Sequence, residues 1–331
     1  MQFSEKASLY RELAKLTETA FHLDRTLDLL LRQNPSRVRK TWLLGLQKGL
    51  KAGLSVSEAV HTHNQAFSGK LETALISAGE RSGRLADSFR HLARYFNCWN
   101  FAMKQMRSSM IYPLVLVHLG ILLPEIPAWV TAEMNGADGL IIRILFMLLM
   151  LWTVIALVVL LWHFLSKMGT TDANVERWLW RIPIIGGIRN HWALARFTQV
   201  FNAGLLAGMR ISECMLMAGV ASNSGVLNRA ASHAAQKIAE GETVGSSMSY
   251  TYGFPTLFTQ SISTAEQAGT LDLEMRSWAT SEMIEAENSI QRASNWLPKI
   301  FYAAVSIFVV CRLIRIVSEY YHTIGSQIIA L

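Results

Sequence analysis

One motif occurs twice in this chain. Ala78-Gly79-Glu80-Arg81-Ser82-Gly83-Arg84-Leu85 returns 186 residues later as Thr264-Ala265-Glu266-Gln267-Ala268-Gly269-Thr270-Leu271. Glu-x-x-Gly-x-Leu therefore stands at Glu80, Gly83 and Leu85 and again at Glu266, Gly269 and Leu271. Each copy leads through polar helical sequence into an apolar segment marked by proline. Pro113, which follows Tyr112, lies 33 residues beyond Glu80, and Pro298 lies 32 residues beyond Glu266. A duplication that takes in a soluble region together with the apolar segment behind it restricts the chain to two related halves in one orientation. That differs from the inverted repeats common in secondary transporters.

The apolar segments are long enough to matter. Over 331 residues the chain is 51% hydrophobic and 17% charged, too apolar for an ordinary soluble protein and too charged to lie wholly in lipid. Leu140 to Leu165 carries only Arg143 and His163 as ionisable groups, and about 39 Å of helix at 1.5 Å per residue spans a bilayer with tilt. Residues 113–130 form a second, shorter candidate, kinked by Pro124 and Pro127 and interrupted by Glu125. Residues 298–317 form a third, apolar despite Arg312 and Arg315. The expected fold is thus all-α and polytopic, with two duplicated helical-bundle domains at 1–112 and 167–297. Three transmembrane helices follow at 113–130, 140–166 and 298–317, with a short loop at 131–139 and a short tail at 318–331.

Charge sets the orientation. Residues 1 to 30 hold Glu5, Lys6, Arg11 and Glu12 where a secretory signal needs an apolar core. Thr131 to Gly139 contains Glu133 and Asp138 but no Lys or Arg, whereas Lys104 and Arg107 precede the first candidate span and Lys167, Arg177 and Arg181 follow the second. The positive-inside rule then places the N terminus and both soluble regions in the cytoplasm, with the loop and tail outside. Cys98, Cys214 and Cys311 lack metal-ligand spacing and are odd in number, so they read as reduced or buried thiols.

Within each soluble region the apolar period is helical. Leu9, Leu13, Leu16, Leu23, Leu27 and Leu30 advance in helical steps, as do Phe197, Val200, Phe201, Leu205 and Leu206. No stretch reads as a strand. Ser55-Val-Ser-Glu58 predicts a capping box, Ser36 an N-cap, and Gly208 a helix stop. Five or six antiparallel helices per region suffice for a self-contained core in about 110–130 residues. In the repeated motif, a glycine past a helix end can turn left-handed and the leucine beyond it can cover the last turn. The glutamate can then bond a neighbouring helix.

These residues resemble the type II secretion system F domain, the duplicated module of inner-membrane platform proteins in type II secretion and type IV pilus assembly. Ala78 to Leu85 and Thr264 to Leu271 resemble its helix-turn signature. Met106-Arg-Ser-Ser-Met-Ile-Tyr-Pro113 resembles its approach to the first span. Ile182-Pro-Ile-Ile-Gly-Gly187, Ala195-Arg-Phe197 and Leu205-Leu-Ala-Gly208 resemble the opening of its second copy. Together they cover residues 9 to about 317. The sequence departs from the pattern at Ala20-Phe21-His22-Leu23, where the second copy has Ala207-Gly208-Met209, and in its short loop after the first span. The resemblance implies a non-enzymatic platform that couples a cytoplasmic hexameric ATPase to insertion of pilin or pseudopilin subunits into a filament. Its other expected partners are further inner-membrane assembly proteins, membrane lipid and a second copy of itself.

The chemistry in the sequence agrees with that reading. No G-x-x-x-x-G-K-[ST] loop is present, because Gly69-Lys70 is followed by Leu71. His61 and His63 flank a threonine in polar sequence and read as solvated surface rather than metal ligands. No catalytic residue, cofactor or metal is expected. Residues 1–112 carry 17 Lys and Arg against 9 Asp and Glu, whereas 167–296 carry 10 against 11. The excess either orients the chain and touches anionic lipid or forms a docking surface. Arg32, Arg37, Arg39, Lys40, Lys48 and Lys51 cluster around one helix hairpin and could meet an acidic face of the ATPase. Nucleic acid is not expected at a membrane-tethered region with few interleaved aromatics.

Counting along the helices puts Glu125 about 18 Å up the first span, and Arg312 and Arg315 about 20 and 24 Å up the third. An ion pair could clamp the spans there, with a pilin's charge able to substitute for one partner. Alternatively the arginines snorkel to the outer headgroups. Two other classes stay open at this point, a small transporter or channel subunit and a membrane-tethered signalling adaptor. Ion flux in proteoliposomes would favour the first, and intact filaments after deletion the second.

Overall fold

The computed structural model describes residues 1–18, 23–122, 138–182 and 185–329. Among them every regular element is a helix, and Tyr252 and Phe254 make an isolated β-bridge. The helices are α1 (Phe3–Glu18), α2 (Leu23–Arg32), α3 (Arg37–Lys51), α4 (Val56–His63), α5 (Lys70–Arg81) and α6 (Leu85–Leu122). These are followed by α7 (Asp138–Gly169) and α8 (Ala173–Trp180). The last six are α9 (Ile185–Leu206), α10 (Ile211–Ala221), α11 (Gly225–Ala239), α12 (Val244–Ser249), α13 (Thr256–Gln267) and α14 (Leu271–Ile329). The chain divides into one unit of residues 1–101 and 166–290 and another of residues 102–165 and 291–331.

In the first unit the helix boundaries follow from local chemistry. Ser36 Oγ accepts the Arg39 N–H at the start of α3, and Ser55 with Glu58 closes the capping box of α4. Ser224 and Thr243 cap α11 and α12 in the same way. Gly53, Gly83, Gly208, Gly241 and Gly269 all have positive φ. Each ends its helix in a Schellman turn, with the next residue's N–H reaching back to the carbonyl five residues earlier. Asn34 and Asn223 take the same backbone conformation after α2 and α10. Residues 19–22, the turn at which the two halves differ in sequence, lie outside the described residues.

The core shows how the two helix sets share their burial. Leu9, Tyr10 and Leu13 of α1, Leu27 and Leu30 of α2, and Trp42, Leu43 and Leu46 of α3 are fully or almost fully buried. So are Phe197, Val200 and Phe201 of α9 and Phe258 and Ile262 of α13. Each such aliphatic or aromatic side chain contributes about 1.5–3 kcal/mol by leaving water. All of them belong to one continuous cluster. The sequence leads one to expect two self-contained bundles, but α5 packs directly on α9 and α10. The ring of Trp192 lies 5.2 Å from Tyr95 and 5.1 Å from Trp99. Large aromatic faces shared by α6 and α9 are buried only when the two sets form one body.

In the second unit Val117 and Ile121 of α6 are buried together with Val305 of α14, against Met147, Leu148 and Leu151 of α7. A Cβ on Gly120 would stand 2.6 Å from Val309, so the absence of a side chain lets α6 and α14 approach closely. Tyr112 stacks on Tyr302 at 6.0 Å, and Gln105 donates to Asn295 at 3.0 Å. Leu145, Phe146, Leu149, Leu157 and Leu160 of α7 are each about 60% or more exposed, which water would penalise and lipid would not. By length and composition two described helices can cross a membrane, over Ile144–Gly169 and within Leu271–Arg315. Much of the 113–130 segment lies outside the described residues. The segment 298–317 is no separate element, because α14 is unbroken from Leu271 to Ile329 with Pro298 inside it.

Candidate functional site

The repeated motif forms the same joint in both helix sets. Glu80 Oε1 accepts the Val56 N–H at 2.6 Å, and Oε2 accepts the Ser57 N–H at 3.0 Å and the Ser57 hydroxyl at 2.8 Å. Glu266 Oε1 accepts the Val244 N–H at 2.8 Å and Oε2 the Gly245 N–H at 2.9 Å. In each case the carboxylate takes the first two N–H groups of a short helix, α4 or α12, while the N-cap hydroxyl takes the third. Those donors have no partner inside their own helix, and a carboxylate there also meets the positive end of the helix dipole.

Beyond the glutamate the chain reverses in the same way twice. Gly83 has φ +67° and Gly269 φ +69°. The Arg84 N–H reaches Gly79 O at 2.8 Å, and the Thr270 N–H reaches Ala265 O at 2.8 Å. Leu85 and Leu271, the first residues of α6 and α14, pack on the core immediately afterwards. The joint thus fixes the end of one helix, the start of a second and the direction of a third. The two helices that leave it are the 38-residue α6 and the 59-residue α14. Tyr112 is exposed on α6 next to Pro113.

The basic cluster is placed less uniformly than its composition suggests. Arg37, Lys40, Lys48 and Lys51 are exposed and, at 100° per residue, fall on one stripe of α3 with the exposed Leu44 between them. Arg32 is exposed at the end of α2. Arg39 points away from the stripe and binds Glu12 of α1 at 2.6 Å, so its charge is spent inside the fold. Of the charges expected at membrane depth, Arg315 is exposed on α14. Glu125 and the side chain of Arg312 lie outside the described residues.

Three buried ionic groups escape sequence reading because their partners are distant in the chain. Glu72 is held by Lys6 at 2.7 Å, the Tyr10 hydroxyl at 2.6 Å and the Gly69 N–H at 2.6 Å. Burial, reinforced by Glu72, pushes the Tyr10 phenol well above its ordinary pKa. Glu176 pairs with Arg189 and accepts from Trp180 Nε1, and His191 meets Glu282 at 3.0 Å. Cys98, Cys214 and Cys311 are free thiols. Burial pushes Cys98 up to about 12 and Cys214 up to about 11. Among the described residues no group of three or more His, Cys, Asp or Glu is placed to hold a metal.

The structure is thus a helical scaffold that makes one joint twice, sends a long helix from each, and has helices long and apolar enough to cross a membrane. The chain belongs to the family of type II secretion system protein F, whose profile matches residues 9–126 and again 197–317. Type II secretion system protein F of Pseudomonas aeruginosa is 24% identical over 283 residues, covering 80% of this chain and 69% of that one. The protein of the same name from Vibrio cholerae is 24% identical over 315 residues, 90% of this chain and 76% of its own. Type IV pilus assembly protein PilC of Thermus thermophilus is 25% identical over 319 residues, with 89% and 77% covered.

Proposed function

We propose that the chain is the inner-membrane platform of a type IV pilus or type II secretion machine, coupling a cytoplasmic hexameric ATPase to insertion of pilin-like subunits. The observation that carries this reading is the twofold family match, each copy containing one glutamate joint and the helix that leaves it. In this reading the halves are two copies of one module, and three helices span the membrane. The N terminus and both helix sets face the cytoplasm, where the basic excess of residues 1–112 favours retention. The packing of α6, α7 and α14 supports three spans.

The mechanism is mechanical, and the chain performs no chemistry of its own. ATPase movement enters through the helix sets, passes the Glu80 and Glu266 joints, and travels along α6 and α14 to a pilin in the membrane. A continuous helix transmits displacement along its axis because its turns are tied by backbone hydrogen bonds, save where Pro113 of α6 and Pro298 of α14 lack the N–H. The exposed stripe of α3 docks the ATPase through charge. Glu125 pairs with Arg312 or Arg315 at membrane depth, and a pilin charge exchanges for one of them. Other inner-membrane assembly proteins, lipid and a second copy complete the platform. Deleting the gene and restoring it on a plasmid tests the reading. Filaments or secretion should disappear and return, and filaments that persist in the deletion would refute it.

A further inference from the structure

A cavity of about 310 Å³ opens between the start of α6, the C-terminal half of α9 and the first turns of α14. Four arginines line it, Arg84, Arg90, Arg94 and Arg276. Arg90 is already engaged, binding Asp87 at 2.6 Å and Glu18 at 2.8 Å. Among the described residues Arg84, Arg94 and Arg276 are exposed and carry no ion pair, and four arginines against the Asp87 and Glu18 carboxylates leave a balance of about +2 around one hollow. Two amides share the lining. Gln199 is 7% exposed and Asn202 is half-buried, and neither makes a hydrogen bond. Gln199 Oε1 and Asn202 Oδ1 are buried without a partner.

Exposed arginines around one hollow give it a positive potential, and a buried amide oxygen without a partner forfeits its hydration. A ligand that carries negative charge and a hydrogen-bond donor supplies what both features lack. Guanidinium forks match the oxygens of phosphate bidentately, and three of them call for a multiply charged oxyanion. The unpartnered amide oxygens accept, so they call for a hydroxyl or N–H donor beside that oxyanion. We propose that this cavity binds a phosphate-bearing ligand, held by Arg84, Arg94 and Arg276 and oriented by Gln199 and Asn202. The same chemistry is offered by a soluble phosphate ester and by an anionic lipid headgroup. No part of the assembly mechanism above depends on it.

The test uses the full chain purified in detergent, with radiolabelled inorganic pyrophosphate as probe in equilibrium dialysis. Saturable binding is expected, weakened about tenfold or more by Arg94→Gln or Arg276→Gln and unchanged by Lys48→Gln on the outer stripe. Gln199→Leu separates binding from folding, since it should weaken displacement of the probe by glycerol 3-phosphate, whose hydroxyls can donate to Oε1, while leaving the melting temperature equal or higher. Repeating the dialysis in nanodiscs identifies the source. Displacement of the probe by phosphatidylglycerol but not by phosphatidylcholine assigns a headgroup, and indifference to lipid assigns a soluble phosphate. No saturable binding at about physiological ionic strength, or equal loss with Lys48→Gln, would overturn the proposal.

Discussion

The Glu80 carboxylate accepts the backbone N–H of Val56 at 2.6 Å, 24 residues back along the chain, and closes the start of α4 from outside that helix. Glu266 does the same for Val244 at 2.8 Å. The two differ in one respect that can be measured. Glu80 also takes the Ser57 hydroxyl, whereas the corresponding position beside Glu266 is Gly245, which has none.

Glu80→Ala should therefore cost about 2–3 kcal/mol and Glu266→Ala somewhat less, by the usual worth of hydrogen bonds to a charged acceptor at half-buried sites. Urea unfolding of the detergent-solubilised chain reads both values. Ser57→Ala should remove most of the difference between them.

Gly83 and Gly269 have positive φ and open space where a Cβ would stand. Alanine at either position should cost about 1–2 kcal/mol from backbone strain alone. Asparagine should cost clearly less, because it tolerates the left-handed region. Equal melting temperatures for the alanine and asparagine variants would show that strain is not the reason for glycine.

Lys6 and Glu72 are a buried pair with side chains 13% and 3% exposed. Lys6→Met alone should destabilise by about 3–5 kcal/mol, because Glu72 is left charged and without its cation. The double variant Lys6→Met with Glu72→Met should recover part of that loss. A double-mutant cycle in denaturant measures the coupling.

Cys98, raised to about 12, and Cys214, raised to about 11, stay protonated in the folded chain after unfolded thiols ionise. The folded state then binds more protons than the unfolded state between about pH 9 and those values. This contribution to stability is complete below about pH 9 and is lost as pH rises through the window. Alkylation of both thiols in the native chain should be slow at pH 8 and accelerate steeply above pH 10.

Local features were the legible ones. The capping box at Ser55, the Ser36 cap and the stop at Gly208 depend on residues within a turn of each other, and sequence spacing displays them directly. The repeat itself marked the joint, although which helix each glutamate would reach could not be read from spacing alone. Lys6 with Glu72 and Glu176 with Arg189 were hidden because tertiary packing, not periodicity, brings them together. Arg39 looked like a member of the basic cluster until its rotation about α3 placed it on Glu12. The continuity of α14 was obscured by Pro298, a residue that usually breaks a helix interior.

The most direct test of the platform account is co-purification of the full chain in detergent with the hexameric assembly ATPase of the same cell. It should be run beside a variant in which Arg37, Lys40 and Lys48 are each changed to Glu. The account predicts that the intact chain retains the ATPase and that the reversed stripe loses it, while the circular dichroism of the two stays alike. An intact chain that retains no ATPase would contradict the account.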